Sequence, residues 1–256
     1  MKLAISGKGG VGKTTIAAGL ARRYAAQGFD VLAVDADPDA NLAQALGYNG
    51  DVTPVSEMKD LISERTGGQP GTYGVFVKLN PEVSDLPDRL TVDVAGVKVL
   101  TLGAVRRGGG GCACPENVLL RNLLSHLILR RGEHVIVDME AGVEHLGRAT
   151  VEAVDALAVV VEPSQRSLGT AFRVRTLAED IGLNNVLAIG SKVKGQEDRD
   201  FLTRGLQGFS ILGWVSYNEQ ILRADQTGGP EALDAPLFAQ EIDVLVSQLV
   251  RYQSDS

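Results

Sequence analysis

The segment Gly7-Lys8-Gly9-Gly10-Val11-Gly12-Lys13-Thr14-Thr15 constrains this chain more than any other. A short apolar run, Lys2-Leu3-Ala4-Ile5-Ser6, leads into it, and Thr14-Thr15-Ile16-Ala17-Ala18 leaves it as the start of a helix. Strand, glycine loop and helix in immediate succession form the setting in which such a loop cradles phosphate. Glycine accepts backbone conformations closed to other residues, so the N–H groups of Gly9, Gly10, Val11 and Gly12 can turn toward one anion. The helix that follows adds free N–H groups and the positive end of its dipole. The spacing gives Lys13 to the β- and γ-phosphates and the Thr14 hydroxyl to Mg²⁺, with Thr15 beside it.

The rest of the chain repeats the strand–helix rhythm that this unit begins. Short, β-branched runs at 2–6, 30–35, 134–138, 156–161, 186–190 and 209–215 are apolar on both faces, as in a buried parallel sheet. Helical patterns fall near 14–27, 39–46, 115–131, 145–153, 167–180, 197–206, 218–225 and 236–252. The alternation predicts a doubly wound, mainly parallel α/β sheet flanked by helices. Residues 48–110 break the rhythm with Pro54, Pro70, Pro81 and Pro87, and read as a mostly extended insertion with one hairpin. The 256 residues suffice for one domain with a full core, so the expectation is a single domain over 1–256.

Composition excludes several functions. The net charge of −7 argues against nucleic-acid binding through a broad basic surface. No run has the length of a transmembrane helix and no signal peptide is visible, which predicts a cytoplasmic protein. Two cysteines, Cys112 and Cys114, are too few for a disulfide framework.

Lys8 narrows the field. Ordinary phosphate loops do not require a lysine there, and Lys-Gly-Gly-x-Gly-Lys-Thr-Thr resembles the deviant Walker A loop of the MinD, ParA and nitrogenase-iron-protein ATPases. In that family the early lysine reaches the nucleotide of a partner chain. The resemblance therefore implies a homodimer that closes around ATP, with Lys8 acting in trans.

Two carboxylate segments extend the resemblance. Asp35-Ala36-Asp37-Pro38-Asp39-Ala40-Asn41 follows the strand ending near 35, and ligands of open α/β sheets sit at the carboxyl ends of strands. It is similar to switch I of the family. The match gives Asp37 the attacking water, to orient or deprotonate, and puts Asn41 near the γ-phosphate and Mg²⁺. The alternative is that Asp37, before Pro38, serves only as a helix N-cap. Asp138 closes another apolar strand, as a Walker B aspartate holding Mg²⁺ through water. After it, Ala141-Gly142-Val143-Glu144 is similar to switch II, in which the Gly142 N–H meets the γ-phosphate and moves when that group leaves. Glu140 and Glu144 fit equally well as solvated acids at a helix start, and His145 as a cap.

Base choice follows by elimination. Guanine-reading loops carry an aspartate where this chain has Lys194, within Gly190-Ser191-Lys192-Val193-Lys194, so the expected base is adenine. The resemblance puts Ser191 where the family usually has an asparagine for the adenine contact.

The sequence Gly108-Gly109-Gly110-Gly111-Cys112-Ala113-Cys114-Pro115-Glu116 is the second informative feature. Pro115 at a first helical position puts Cys114 at a helix N-terminus, where the thiolate, the metal-ligating form, is favoured. One Cys-x-Cys gives two ligands where a tetrahedral site wants four, and a two-fold dimer supplies the other pair. Two buried reduced thiols, or a redox pair, are the alternatives. Deviant Walker A loop, switch II and Cys-x-Cys-Pro together resemble the CooC-type ATPases, to which Glu162-Pro163-Ser164 also conforms. That resemblance implies Ni²⁺ as cargo, with Zn²⁺ equally suited to the thiolates, and carbon monoxide dehydrogenase as client. Rival readings are a MinD- or ParA-like positioning ATPase, a GTP-dependent nickel inserter for hydrogenase or urease, and an iron-protein-like reductase. The C-terminus, Leu249-Val250-Arg251-Tyr252, lacks the basic amphipathic character of a membrane-binding helix.

Overall fold

The computed structural model describes residues 1–71, 76–103, 114–130, 132–143, 153–227 and 230–255. The strands are β1 (Lys2–Gly7), β2 (Val31–Ala36), β3 (Val92–Val94), β4 (Val97–Thr101), β5 (His134–Met139), β6 (Ala156–Val161), β7 (Val186–Val193) and β8 (Ser210–Ser216). They form one eight-stranded sheet in the order β3-β4-β2-β5-β1-β6-β7-β8. Every pairing is parallel except the β3–β4 hairpin at one edge. The helices are α1 (Lys13–Ala26), α2 (Leu42–Ala45), α3 (Lys59–Thr66), α4 (Leu86–Leu90), α5 (Pro115–Arg130), α6 (Gln165–Ile181), α7 (Gln196–Gly205), α8 (Glu219–Thr227) and α9 (Pro236–Asp255). Short 3₁₀ turns lie at Val55–Glu57 and Pro230–Asp234. The doubly wound, mainly parallel sheet expected from the sequence is present.

Strand periodicity sorts the core onto two faces. Leu3, Ile5, Ala33, Ile136, Ala158 and Val160 join Ile16, Leu20 and Tyr24 of α1 and Phe238, Ile242 and Leu245 of α9. Their neighbours Ala4, Leu32, Val34, Val135, Val137, Leu157 and Val159 join Leu120 and Leu127 of α5 and Val174 of α6 on the other side. Both faces of the central strands are thus sealed, which is why their sequences read as unbroken apolar runs.

The structure departs from the expectation for residues 48–110. This stretch is not mostly extended: it holds α3 and α4, and its expected hairpin is β3–β4, turning at Ala95-Gly96. Strand β4 runs parallel to β2 within the main sheet. Arg65 on α3 donates two hydrogen bonds to Asp85, fixing α3 against the start of α4. Prolines and glycines mark the turns here and hide the helices between them. Of the other expected helices, 39–46 shrinks to Leu42–Ala45. The segment expected as helix 145–153 falls almost wholly outside the described residues.

At the centre of the sheet, β1 ends on Gly7, in register with Val160 of β6. A Cβ at Gly7 would lie 2.5 Å from the Val160 carbonyl oxygen, and the backbone φ there is +148°. Only glycine allows the chain to turn out of the sheet at that point. Gly7→Ala is expected to lower the unfolding free energy by about 2–4 kcal/mol, read as a lower urea midpoint at unchanged m value.

Candidate functional site

The loop at residues 7–12 leaves β1 and enters α1 through Gly12, which has φ +93° and makes no side-chain cap. The first N–H groups of α1 are therefore not claimed by a capping side chain and face an anion site. Two residues at the end of β7 hold the loop from behind. The Ser191 hydroxyl donates to the Val11 carbonyl at 2.8 Å, and the Lys192 ammonium donates to the Gly10 carbonyl. Lys192 takes a φ of +56° to do so. With these carbonyls engaged from β7, the loop keeps a fixed shape before any ligand binds.

A cleft of about 550 Å³ opens over this loop. Gly9, Gly10, Gly12, Lys13, Thr14 and Thr15 line one end, with Asp37, Asp39, Asn41, Glu140 and Ala141 across from them. Ser191 and Lys192, which brace the loop, also line the cleft, as do Val215, Tyr217, Ile221, Leu222 and Leu233. The carboxylates of the lining come from the segments after β2 and β5, and its apolar side chains largely from β8 and the segments that follow it. The loop N–H groups and Lys13 suit an anionic group, and the apolar side chains suit an apolar one.

Lys13 is buried, and its ammonium stands 3.8 Å from Asp37 Oδ2. Asp37 does not cap α2. Its Oδ1 accepts the Asp39 N–H at 3.1 Å, an Asx turn that aims the other oxygen at Lys13. The N-cap position of α2 is Asn41, without a side-chain bond, and the helix's first N–H, of Leu42, goes to Asp35 Oδ2 at 2.8 Å. Asp35 also accepts the Asp37 N–H. Asp35 is thus the residue that shapes this loop, a role the sequence pattern did not separate from that of Asp37.

Thr14 Oγ1 donates to Asp138 Oδ2 at 2.6 Å. Asp138 is fully buried, and its Oδ1 has no hydrogen-bond partner among the described residues. Burial, helped by the nearby Asp35, pushes the Asp138 carboxyl up to about 7. Burial likewise pushes Asp35 up to about 6 against the pull of its backbone hydrogen bonds. The two face each other in register on β2 and β5. A buried carboxylate oxygen left unpaired beside a hydroxyl is a hard oxygen pair, which suits Mg²⁺.

Several expected contacts are otherwise engaged. The Gly142 N–H, expected at a γ-phosphate, bonds the Ser6 hydroxyl at 3.1 Å. Val11 is a core residue whose N–H points to the Lys8 carbonyl, so it does not line the cleft. Lys8, expected to act in trans, pairs within its own chain with Glu162 Oε1 at 2.8 Å. Lys194 lies over the Tyr217 ring, 4.8 Å from its centroid. Cys114 is half-buried and precedes α5, and its carbonyl accepts the Val118 N–H that opens the helix. Cys112, Glu144 and His145 lie outside the described residues. Sequence reasoning missed Ser6 and Lys192, and it missed the pairing of Glu162 with Lys8. Nothing but their position beside the loop and switches singles them out.

The CbiA family, described as the CobQ/CobB/MinD/ParA nucleotide binding domain, matches residues 2–231. The carbon monoxide dehydrogenase accessory protein CooC of Rhodospirillum rubrum is 46% identical, over 89% of this chain and 88% of its own. This chain is a CooC-type ATPase of the CobQ/CobB/MinD/ParA nucleotide-binding family. An uncharacterized ATP-binding protein of Methanocaldococcus jannaschii is 44% identical over 99% of both chains. Among solved structures, a ParA family ATPase of Chlorobium tepidum aligns with TM-score 0.69 at 18% identity, covering 97% of each chain. The septum site-determining protein MinD of Pyrococcus horikoshii, complexed with Mg-ADP, aligns with TM-score 0.66 at 20% identity, covering 97% of this chain and 95% of its own. At those identities the likeness speaks for the fold alone. Ser191 both braces the loop and lines the cleft. Ser191→Ala leaves the Val11 carbonyl unpaired. It is expected to cost about 1 kcal/mol of stability and to weaken ATP binding about three- to ten-fold by calorimetry.

Proposed function

We propose that this ATPase is a nickel-handling accessory factor for carbon monoxide dehydrogenase, working as a homodimer in the cytoplasm, where thiols stay reduced. The 46% identity to the Rhodospirillum rubrum accessory protein, over nearly the whole chain, supports the choice of client. The observation that carries the metal reading is Cys114 at the mouth of α5, half-buried rather than sealed in the core. A helix N-terminus favours the thiolate, the metal-ligating form. Cys112 and Cys114 give two thiolates, and the partner chain completes the set of four around Ni²⁺ or Zn²⁺. Among the described residues, no group of three or more histidine, cysteine or acidic side chains offers a rival site within one chain. No helix there is long and apolar enough to cross a membrane.

The nucleotide lies along the cleft, phosphates on the loop and base at the apolar end. Lys194 is turned to Tyr217, and a lysine in that position supports adenine over guanine as the base. ATP is the substrate. Lys13 exchanges Asp37 for phosphate oxygens, and Asp37 is released to orient the attacking water or take its proton. Thr14 and Asp138 would hold Mg²⁺, which would supply positive charge beside the phosphate oxygens. Asn41 stands at the same end of the cleft.

Lys8 serves two partners in turn. In one chain alone it is neutralised by Glu162; in the dimer it contacts the partner's phosphates. Exchanging one anion for another keeps the cost of closure small. Glu162→Gln removes the competing charge and is expected to tighten ATP-dependent dimerisation about two- to five-fold, measured by sedimentation with and without MgATP.

Elemental analysis with solution mass, on anaerobic protein with and without MgATP, tests the metal reading. About one Ni²⁺ or Zn²⁺ per dimer is expected, lost in a Cys112→Ser/Cys114→Ser double variant that still binds ATP. Dimerisation with no metal at any loading would instead leave a MinD- or ParA-like positioning ATPase.

A further inference from the structure

Ser6 is the penultimate residue of β1, just before Gly7 and the loop, fully buried, and its side chain crosses to the segment that follows β5. Its hydroxyl lies 2.9 Å from the Glu140 carbonyl and 3.2 Å from the Gly142 carbonyl, and accepts the Gly142 N–H at 3.1 Å. A hydroxyl has one proton to give and two lone pairs to offer. Here the proton goes to a carbonyl and a lone pair takes the amide, so one side chain pins both ends of 140–142. The anchor itself is fixed: Ser6 is held in the sheet in register with Val159, one residue before the Gly7 contact with β6. Glu140 and Ala141, the residues between and beside the pinned groups, line the cleft at the phosphate end.

We infer that Ser6 is a positioning residue that limits the preference of this ATPase for ATP over ADP. The inference rests on the reading that the Gly142 N–H meets the γ-phosphate when ATP is bound. Without that phosphate the amide belongs to Ser6, and the segment stays back. With ATP the amide must leave Ser6, so part of the binding energy is spent on breaking that bond. ADP has no γ-phosphate and leaves the Ser6 bond intact. The hydroxyl therefore stabilises the empty and ADP-bound forms alike and opposes only the ATP form. Its position on the strand that becomes the phosphate loop lets one rigid element carry both the loop and the tether.

The test compares Ser6→Ala with the parent protein for the affinities of ADP and of a non-hydrolysable ATP analogue, AMPPNP, by calorimetry in Mg²⁺. The Kd for AMPPNP is expected to fall about five-fold while that for ADP stays constant, the worth of one hydrogen bond. A loosened fold would weaken both ligands together and leave their ratio alone. A ratio that is unchanged, or shifts toward ADP, overturns the inference. The parent protein provides a second measurement should Ser6→Ala fail to fold. Its Gly142 amide should be protected from hydrogen exchange in the empty and ADP forms, and its resonance should move only with AMPPNP. Rapid exchange in the empty form overturns the role of Ser6. An identical Gly142 resonance with ADP and AMPPNP overturns the γ-phosphate reading, and the inference with it.

Discussion

The site depends on β1 leaving the middle of the sheet without a side chain in the way. Gly7 stands against the Val160 carbonyl at a distance no Cβ tolerates, and from there the backbone can only turn outward over the strand ends. Everything anionic in the site is arranged around that exit. Asp35 and Asp138 come from the strand next door but one and the strand next door, both at their carboxyl ends. The helix that follows the loop brings Thr14 onto Asp138 and Lys13 toward Asp37. Burial is the main reason that both carboxyls resist ionisation; backbone hydrogen bonds oppose it at Asp35, and Thr14 and Lys13 oppose it at Asp138.

The loop is held on one side and free on the other. Ser191 and Lys192 bind its carbonyls from β7, while its N–H groups and the start of α1 look into the cleft. A loop so braced needs little reorganisation to receive phosphate, and its binding energy is available to move other parts. The polar contacts that such movement would have to break are those of Asp37 with Lys13, Lys8 with Glu162 and Gly142 with Ser6. Polar contacts at loop ends can be exchanged where packed cores cannot.

Sequence legibility followed the strength of local rules. The sheet was readable because its strands are buried on both faces and carry no alternation to confuse them with surface strands. The loop was readable because each glycine has a geometric reason to be there. The helices of residues 48–103 were not, because α3 has a largely polar sequence, Lys59–Thr66, and draws its stability from Ile62 in the core and from Arg65 on Asp85. The tethers were not readable either. Ser6 and Gly142 are 136 residues apart, and Lys8 and Glu162 are 154 apart. No spacing rule connects such pairs; only the sheet order does. Asp35 and Asp37 illustrate the same limit at short range, since both fit an acidic loop and only geometry assigns one to Leu42 and the other to Lys13.

The two margins of the sheet have a consequence for how copies of this protein meet. A parallel sheet with bare margins invites another molecule to add its own strand, the first step toward fibres. One margin here is β3, three residues long and turned back antiparallel, with Asp93 opposite Lys98. The other is β8, which slips register twice against β7, around Ile189 and beyond Gly190, where Trp214 crowds the backbone. A short charged ribbon on one side and a twisted strand on the other give a newcomer no straight ladder to bond. Extension of the sheet is therefore not a natural route by which two copies would meet.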